Sequence, residues 1–364
     1  MKDTKPHAAR TFYEQGKALY EARDYEQAYV RFSRAIGLVE DQGADHIFSV
    51  DEWADLYVSR ASALLADGSG TRDVDTETFE EALADFEQAV DVQPDKPLLY
   101  LIRGRMYLQQ GDGKYLSSAQ ADFERVLDLE NNQPEALRYL GESLAKQEKY
   151  DEAISFLTQA LEQNPNTETI LLRGVSFFRQ HPPRYAEALR DFTEAQQQMP
   201  RLESLYIWRA QCMQEMGHVG EAIAEYDRLI ELAPHKPGYL IDRSVLQMAA
   251  DPDAALADLN TALNMEPHPL AYNNRAVIWR MRGELDAAIA DAEAALRTDP
   301  GFSIAYATLA EIYAESGDEE ALYRYLELAL RHYYTDIIEV LEEPAFQPYA
   351  AEPRFQELLK AAQK

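Results

Sequence analysis

The chain of 364 residues carries 64 acidic and 35 basic side chains, which give a formal net charge of −29. This charge repels the phosphates of nucleic acids and anionic lipid surfaces, so we expect neither as a partner. The single cysteine, Cys212, excludes an internal disulfide, and no apolar run is long enough to span a membrane. Because charges interrupt residues 1–20, where a signal peptide needs an apolar core, we expect a cytoplasmic protein.

The spacing of small and apolar residues predicts pairs of helices joined by short turns and repeated along the chain. In residues 139–161, Gly141 lies in a first helix, a polar turn follows, and Ala153 lies in a second helix. Such small residues let two helices approach closely, and prolines such as Pro165 end several of the units. After an N-terminal extension at 1–8, nine units are predicted over 9–331, followed by capping helices in 332–364; the units start near residues 9, 54, 97, 134, 167, 203, 237, 269 and 303.

Some segments interrupt the regular spacing. Residues 68–78 (GSGTRDVDTET) are polar and glycine-bearing and predict a loop within the second unit, while residues 43–53 form a longer join before it. The acidic side chains near 68–78 suggest calcium, but Arg72 replaces the sharp-turn glycine and Thr78 the bidentate glutamate, so we predict no metal. Further helices are predicted at 333–342 and 354–362, where they cover the last apolar face.

Across the nine units, spaced by 32 to 45 residues, the small, aromatic, alanine and proline positions agree, and this pattern resembles the tetratricopeptide repeat family. The resemblance covers about residues 9–331. It implies an all-α fold, a right-handed superhelical solenoid of antiparallel helix pairs, in which first helices line a concave groove. Family members that bind a C-terminal carboxylate use lysines and asparagines on successive first helices. Only Asn273 and Asn274 match, and Ile241 and Val245 stand in the preceding unit, so we do not predict that clamp.

In six units an arginine directly precedes the small residue of the first helix, and an acid follows the alanine of the second helix by three residues. The three units without the arginine also lack the acid. We therefore predict a structural ion pair that joins the two helices of each unit. A ladder of free arginines for an acidic ligand is the alternative, which the matched acid in every unit disfavours. The pairs are Arg60–Asp85, Arg103–Asp122, Arg173–Asp191, Arg209–Glu225, Arg243–Asp258 and Arg275–Asp291.

The residues three before, one after and four after the small residue share one stripe of each first helix. By the resemblance, this stripe faces the groove and binds a protein or peptide, and its apolar side chains on so acidic a chain are typical of a contact site. The alternative is that close packing of neighbouring first helices buries part of the stripe as core. The stripe comprises Tyr13, Lys17, Tyr20, Leu101, Arg105, Leu108, Arg138, Glu142, Leu171, Val175, Phe178, Ile207, Gln211, Gln214, Ile241, Val245, Met248, Asn273, Val277 and Arg280.

The sequence predicts no catalytic chemistry. The seven histidines fall mostly in turns without the spacing of a zinc site, Cys212 takes a position where other units have packed side chains, and no phosphate loop or nucleophile elbow occurs. We predict a non-catalytic scaffold or adaptor without metal or cofactor; the alternative is a structural subunit of a larger assembly. The excess negative charge favours a protein partner with basic flanks by steering its approach.

Overall fold

A computed structural model describes residues 4–40, 47–66, 76–332 and 341–362, and within these ranges every regular element is a helix. Nine helix pairs follow one another, and in each pair an odd-numbered first helix precedes an even-numbered second helix. The helices are α1 (Thr4–Glu21), α2 (Tyr25–Glu40), α3 (Val50–Ala66), α4 (Thr76–Val92), α5 (Pro97–Gln110), α6 (Gly113–Leu129), α7 (Pro134–Lys146), α8 (Tyr150–Gln163), α9 (Thr167–Arg179), α10 (Tyr185–Gln198), α11 (Glu203–Glu215), α12 (Val219–Leu232), α13 (Pro237–Gln247), α14 (Pro252–Met265), α15 (Pro269–Met281), α16 (Leu285–Thr298), α17 (Ser303–Ser316) and α18 (Glu319–Arg331), followed by a 3-10 helix η1 (Pro344–Tyr349) and α19 (Pro353–Ala362).

Some predicted features fall outside the described residues. These are most of the loop at 68–78, most of the helix at 333–342, and residues 43–46 of the join at 43–53. The first helix begins at Thr4, inside the expected N-terminal extension. The prediction of an all-α fold built from helix pairs is confirmed.

Small residues allow the two helices of a pair to approach closely. A Cβ atom on Gly104 of α5 would lie 2.7 Å from Cε1 of Phe123 on α6, and one on Gly174 of α9 would lie 2.8 Å from Cε1 of Phe192 on α10. Both phenylalanine side chains are fully buried. The absence of a side chain at these glycines therefore creates the space that the aromatic ring of the second helix fills.

A recurring hydrogen bond fixes several turns between successive pairs. A tyrosine in the first helix donates its hydroxyl to the carbonyl oxygen of the proline six residues earlier, which follows the preceding second helix. The hydroxyl group thus provides a hydrogen-bond donor to a carbonyl oxygen that lies beyond the end of the helix and has no partner within it. It joins Tyr100 to Pro94 (3.0 Å), Tyr206 to Pro200 (2.8 Å) and Tyr306 to Pro300 (3.2 Å).

The chain divides into two compact units, Met1–Ala195 and Gln196–Lys364. The first contains α1 to α9 and most of α10, and one apolar core extends through it from Ala9 to Leu157. In the second unit, the last helix pair is covered by η1 and α19, whose Phe346 and Phe355 pack with Leu326 of α18. These elements bury the end of that stack.

Within each unit the first helices lie closer to one another than the second helices do. Helices α1 and α3, α5 and α7, and α7 and α9 contact each other in the first unit, as do α13 and α15, and α15 and α17, in the second. Among the described residues, no two successive second helices of the same unit pack as closely. The first helices therefore form the inner side of each stack, and we call their exposed surface the first-helix face.

Candidate functional site

A cavity of about 510 Å³ opens on the first-helix face between α5 and α7. Met106 and Leu108 are buried at its base, while Arg105 and Gln109 are exposed. The cavity thus combines an apolar floor with charged and amide groups at its rim, as is common in binding pockets. Its lining comprises Ile102, Arg105, Met106, Leu108, Gln109, Tyr139, Glu142 and Lys146.

The aromatic ring of Tyr139 lies between two guanidinium groups at this cavity. Arg138 lies 3.9 Å and Arg105 5.3 Å from the ring centroid, distances at which a cation is attracted to an aromatic face. Glu142 lies 3.6 Å from Nη1 of Arg138 and 3.5 Å from Nζ of Lys146. Cationic groups therefore outnumber carboxylates here, although the chain as a whole is strongly acidic.

A second, smaller cavity of about 270 Å³ lies between α1 and α3. Lys17, Tyr20 and Asp55 line it, and the ammonium group of Lys17 lies 5.1 Å from the ring centroid of Tyr13. Tyr13 is buried and donates its hydroxyl to Asp55. Burial, together with this hydrogen bond, raises the pKa of Tyr13, so its hydroxyl stays protonated and serves as a fixed donor.

On α9, the predicted contact residues Leu171, Val175 and Phe178 are half-buried. Because α9 contacts α7, they continue the first-helix face beyond the cavity between α5 and α7. The face of the first unit thus passes from a cationic cavity to an apolar strip.

The first-helix face of the second unit is less charged at its start. Val245 is 50% exposed, and Gln211 and Gln214 are exposed as well. Ile207, Met248 and Val277 are half-buried. Val245 of α13 and both glutamines of α11 are thus accessible to solvent.

Arg280 is half-buried and its guanidinium group contacts two carboxylates of α17. Its Nη2 lies 2.7 Å from Glu311 and its Nη1 lies 2.7 Å from Glu315. Burial raises the pKa of Glu311 to about 7, against the opposing effect of Arg280. Arg280 is thereby already occupied within the chain and is not a free group for a partner.

Five residues of the predicted stripe are core residues. They are buried, so the alternative stated for the stripe applies at these positions, although Leu108 still lines the base of the cavity between α5 and α7. They are Tyr13, Leu101, Leu108, Ile241 and Asn273. The stripe omitted Gln109, Tyr139 and Lys146, which line the cavity between α5 and α7. A wider stripe that included the fifth residue after the small residue would have found two of them.

The six arginines and their acids are close together in space. Five arginines donate hydrogen bonds through Nε and Nη2 to both oxygens of the aspartate, as in Arg173 and Asp191, where both distances are 2.8 Å. Arg103–Asp122, Arg243–Asp258, Arg275–Asp291 and Arg60–Asp85 have the same two-point geometry. In the sixth pair only Nη2 of Arg209 contacts Glu225, at 2.9 Å. All six acids are buried.

Several of these arginines also contact the second helix of the preceding pair. This second contact was not predicted, because a single chain's sequence gives no distance between neighbouring pairs. In each case Nη1 of the arginine donates a hydrogen bond to a side-chain oxygen. The pairs are Arg173 with Thr158 (3.4 Å), Arg275 with Asn260 (2.6 Å), Arg209 with Gln196, and Arg243 with Asp227. Each of these guanidinium groups therefore connects three helices.

The remaining candidates for chemistry are inaccessible or dispersed. Cys212 is fully buried, and burial raises the pKa of its thiol to about 12, which leaves little reactive thiolate at neutral pH. Within the described ranges, no cluster of histidine, cysteine and acidic residues has the arrangement of a metal site. In the same ranges, no helix combines the length and apolar character needed to cross a bilayer.

Comparisons with known proteins agree with the helix pairs. Models of the tetratricopeptide repeat match residues 68–114, 134–167 and 244–303. The Hsp70-Hsp90 organizing protein 1 of Glycine max is 25% identical over 234 residues, which are 61% of this chain and 35% of that protein. The DnaJ homolog subfamily C member 7 of Homo sapiens is 29% identical over 128 residues, 35% of this chain and 21% of that protein. The chain thus spans about a third or less of the length of these curated relatives.

A solved structure shows the same fold. The C-terminal part of a TPR repeat-containing protein from Cytophaga hutchinsonii superposes with a TM-score of 0.54 at 15% identity, over 70% of this chain and 95% of that one. The period in the sequence, the pairs of closely packed helices and the matched models all agree that the chain carries tetratricopeptide repeats, and the solved structure shows the same fold.

Proposed function

We propose that this protein is a non-catalytic scaffold that binds a segment of a partner protein on its first-helix face. The observation that carries the proposal is the cavity between α5 and α7, which combines a buried apolar base with exposed polar side chains. The names of the curated relatives, organizing proteins of Hsp70 and Hsp90, support partners that are proteins.

The proposed partner segment lies along the inner side of the stacked pairs. Exposed Gln109 on a first helix of the first unit is available to it, whereas an arginine of a buried pair, such as Arg173, already has an acid as its partner. We place the protein in the cytoplasm. Its net charge of −29 would accelerate the approach of a partner with basic flanks, so association should slow as the salt concentration rises.

Peptide selection followed by a blocked cavity tests this function. Short linear peptides displayed on phage are selected on the full chain, and enriched sequences are remade as synthetic peptides. A bulky maleimide is then attached to Gln109→Cys at the cavity or, as a control, to Asp128→Cys, an exposed position on the second helix α6. The buried thiol of Cys212 should remain unlabelled in both.

We expect the label at position 109 to weaken peptide binding by about tenfold or more, because it occupies the cavity, and the label at position 128 to leave binding unchanged. Binding is measured by fluorescence polarisation. Equal binding by the two labelled proteins, or a selection that enriches no peptide, would overturn the proposal.

A further inference from the structure

The charge of the cavity between α5 and α7 is opposite in sign to that of the whole protein. Arg105 and Lys146 line this cavity with one carboxylate, Glu142, and Arg138 contacts Glu142 and the ring of Tyr139 beside it. Glu142 is already in contact with both Arg138 and Lys146. The cavity therefore has an excess of positive charge that its own carboxylate does not balance, although the chain carries 64 acidic side chains.

Arg105 is the cationic group with no carboxylate partner in the described part of the chain. Its guanidinium group is exposed and lies over the ring of Tyr139. By contrast, the neighbouring Arg103 donates two hydrogen bonds to buried Asp122. Arg105 thus has its donors available, and the attraction of its guanidinium group to the ring of Tyr139 holds it at the cavity.

We propose that this cavity is a subsite for a single acidic side chain, Asp or Glu, within an internal segment of the partner protein. This inference rests on the proposed function and specifies the chemistry of its ligand. The planar guanidinium group of Arg105 binds the carboxylate through two hydrogen bonds, and Lys146, which is partly exposed at 44%, adds a second positive charge.

Two features favour an acidic side chain over other anions. The first-helix face continues beyond the cavity from α7 to α9, so a bound chain can extend past the cavity and need not end there. The charged residues that line the cavity, Arg105, Lys146 and Glu142, leave one positive charge in excess, which one carboxylate neutralises and which a phosphate dianion exceeds.

The apolar strip on α9 adds a second requirement for the ligand. Leu171, Val175 and Phe178 lie on the next first helix along the face. Neighbouring helix axes are about 10 Å apart, which an extended chain crosses in about three residues. From Arg105 on α5 to α9 the segment crosses two such spacings, since α7 lies between them, so it should carry an apolar or aromatic residue about six positions from its acidic residue.

The test uses a peptide library displayed within a loop of a carrier protein, so that no free carboxyl terminus is present. The library is selected on the full chain, on Arg105→Glu, and on a control with the same change in charge, Arg125→Glu on the second helix α6. Arg125 is partly exposed and only loosely paired with Asp95, at 3.6 Å. Circular dichroism and thermal melting verify that all three proteins are folded.

We expect the unchanged chain and Arg125→Glu to enrich peptides with an acidic residue and an apolar residue about six positions away. Arg105→Glu should lose the acidic residue and favour a basic one. For the best synthetic peptide, amidated at its C terminus, replacing the acid by its amide should weaken binding to the unchanged chain about tenfold. The same replacement should have little effect on binding to Arg105→Gln. The change in the peptide and the change in the protein each remove the same interaction between Arg105 and the carboxylate.

Equal binding of the acid and amide peptides to the unchanged chain would overturn the subsite. A preference for the acid that persists in Arg105→Gln would also overturn it. If peptides that lack an acidic residue bind at the cavity, the scaffold function is supported and the acidic subsite is refuted. If no peptide is enriched, both proposals are refuted.

Discussion

Arg173 shows how one side chain connects neighbouring helix pairs. From α9 it donates two hydrogen bonds to Asp191 on α10 and one to Thr158 on α8. The hydrogen bonds with Asp191 raise the pKa of Arg173, against the effect of burial. Asp191 is only 5% exposed. Its carboxylate has therefore lost most of its hydration, and the charge of Arg173 offsets the cost of that desolvation.

Arg173→Ala should therefore lower the free energy of unfolding by about 3–5 kcal/mol, because it leaves the buried carboxylate of Asp191 unpaired. Arg179→Ala, at an exposed position of the same helix, should change it by less than about 0.5 kcal/mol. Urea unfolding followed by circular dichroism measures both. Similar losses in the two variants would show that the pair is not a major source of stability.

Glu311 gives the second unit a pH-dependent stability. Arg280 from α15, Glu315 from α17 and Glu343 before η1 are the charged groups around it. Burial raises its pKa from 4.5 to about 7. The folded state therefore binds the proton more tightly than the unfolded state, and the associated stability is present below about pH 4.5 and is lost as the pH rises through 7.

Between pH 5 and pH 8 this group should reduce the free energy of unfolding by on the order of 2 kcal/mol. Glu311→Gln should flatten that part of the pH profile, since the amide does not titrate. Glu315→Gln, at a more exposed position paired with the same arginine, is the matched control and should retain the slope. Thermal midpoints at several pH values measure the effect, and parallel profiles for the two variants would contradict it.

At the scale of the helices, the contact between the two members of a pair depends on the small residue of the first helix. At Gly104 the nearest atoms belong to the buried ring of Phe123, which cannot move aside without disturbing the core. Exposed Gly37 in α2 is a useful comparison, since nothing lies within 4 Å of a Cβ placed there.

Gly104→Ala should lower the free energy of unfolding by about 1–3 kcal/mol through overpacking against Phe123. Gly37→Ala should raise it by about 0.5–1 kcal/mol, because alanine loses less backbone entropy in a helix. Chemical denaturation of both variants measures the difference. A stabilising effect of alanine at position 104 would show that the pair tolerates a wider spacing.

The sequence predicted the helix pairs because small residues and prolines recur at a fixed spacing, and these residues act within a pair. It could not predict distances between pairs. For that reason it missed the contacts of Arg173 with Thr158 and of Arg275 with Asn260, and it assigned buried Leu101 and Leu108 to the open face. Helical spacing defines one side of a helix, but it does not give the width of the strip that stays accessible once the helices pack.

At the scale of the whole molecule, the distribution of charge matters more than its sum. The chain has a net charge of −29. Nevertheless, three exposed cationic side chains lie on first helices of the first unit, namely Lys17, Arg105 and Lys146. In a repeat protein, each pair gains stability from its neighbours, and the surface that they form together is available for recognition. In the proposed function, the net negative charge affects the rate of approach and the cationic cavity affects the choice of ligand.

Photocrosslinking with an enriched peptide tests the central claim, that the first-helix face is the binding surface. A benzophenone is attached in turn to Gln109→Cys and Val245→Cys on first helices, and to Asp128→Cys and Arg297→Cys on second helices, all of them exposed positions. We expect the peptide to crosslink to at least one of the first two positions and to neither of the last two. Crosslinks confined to the second helices, or equal at all four positions, would contradict the claim.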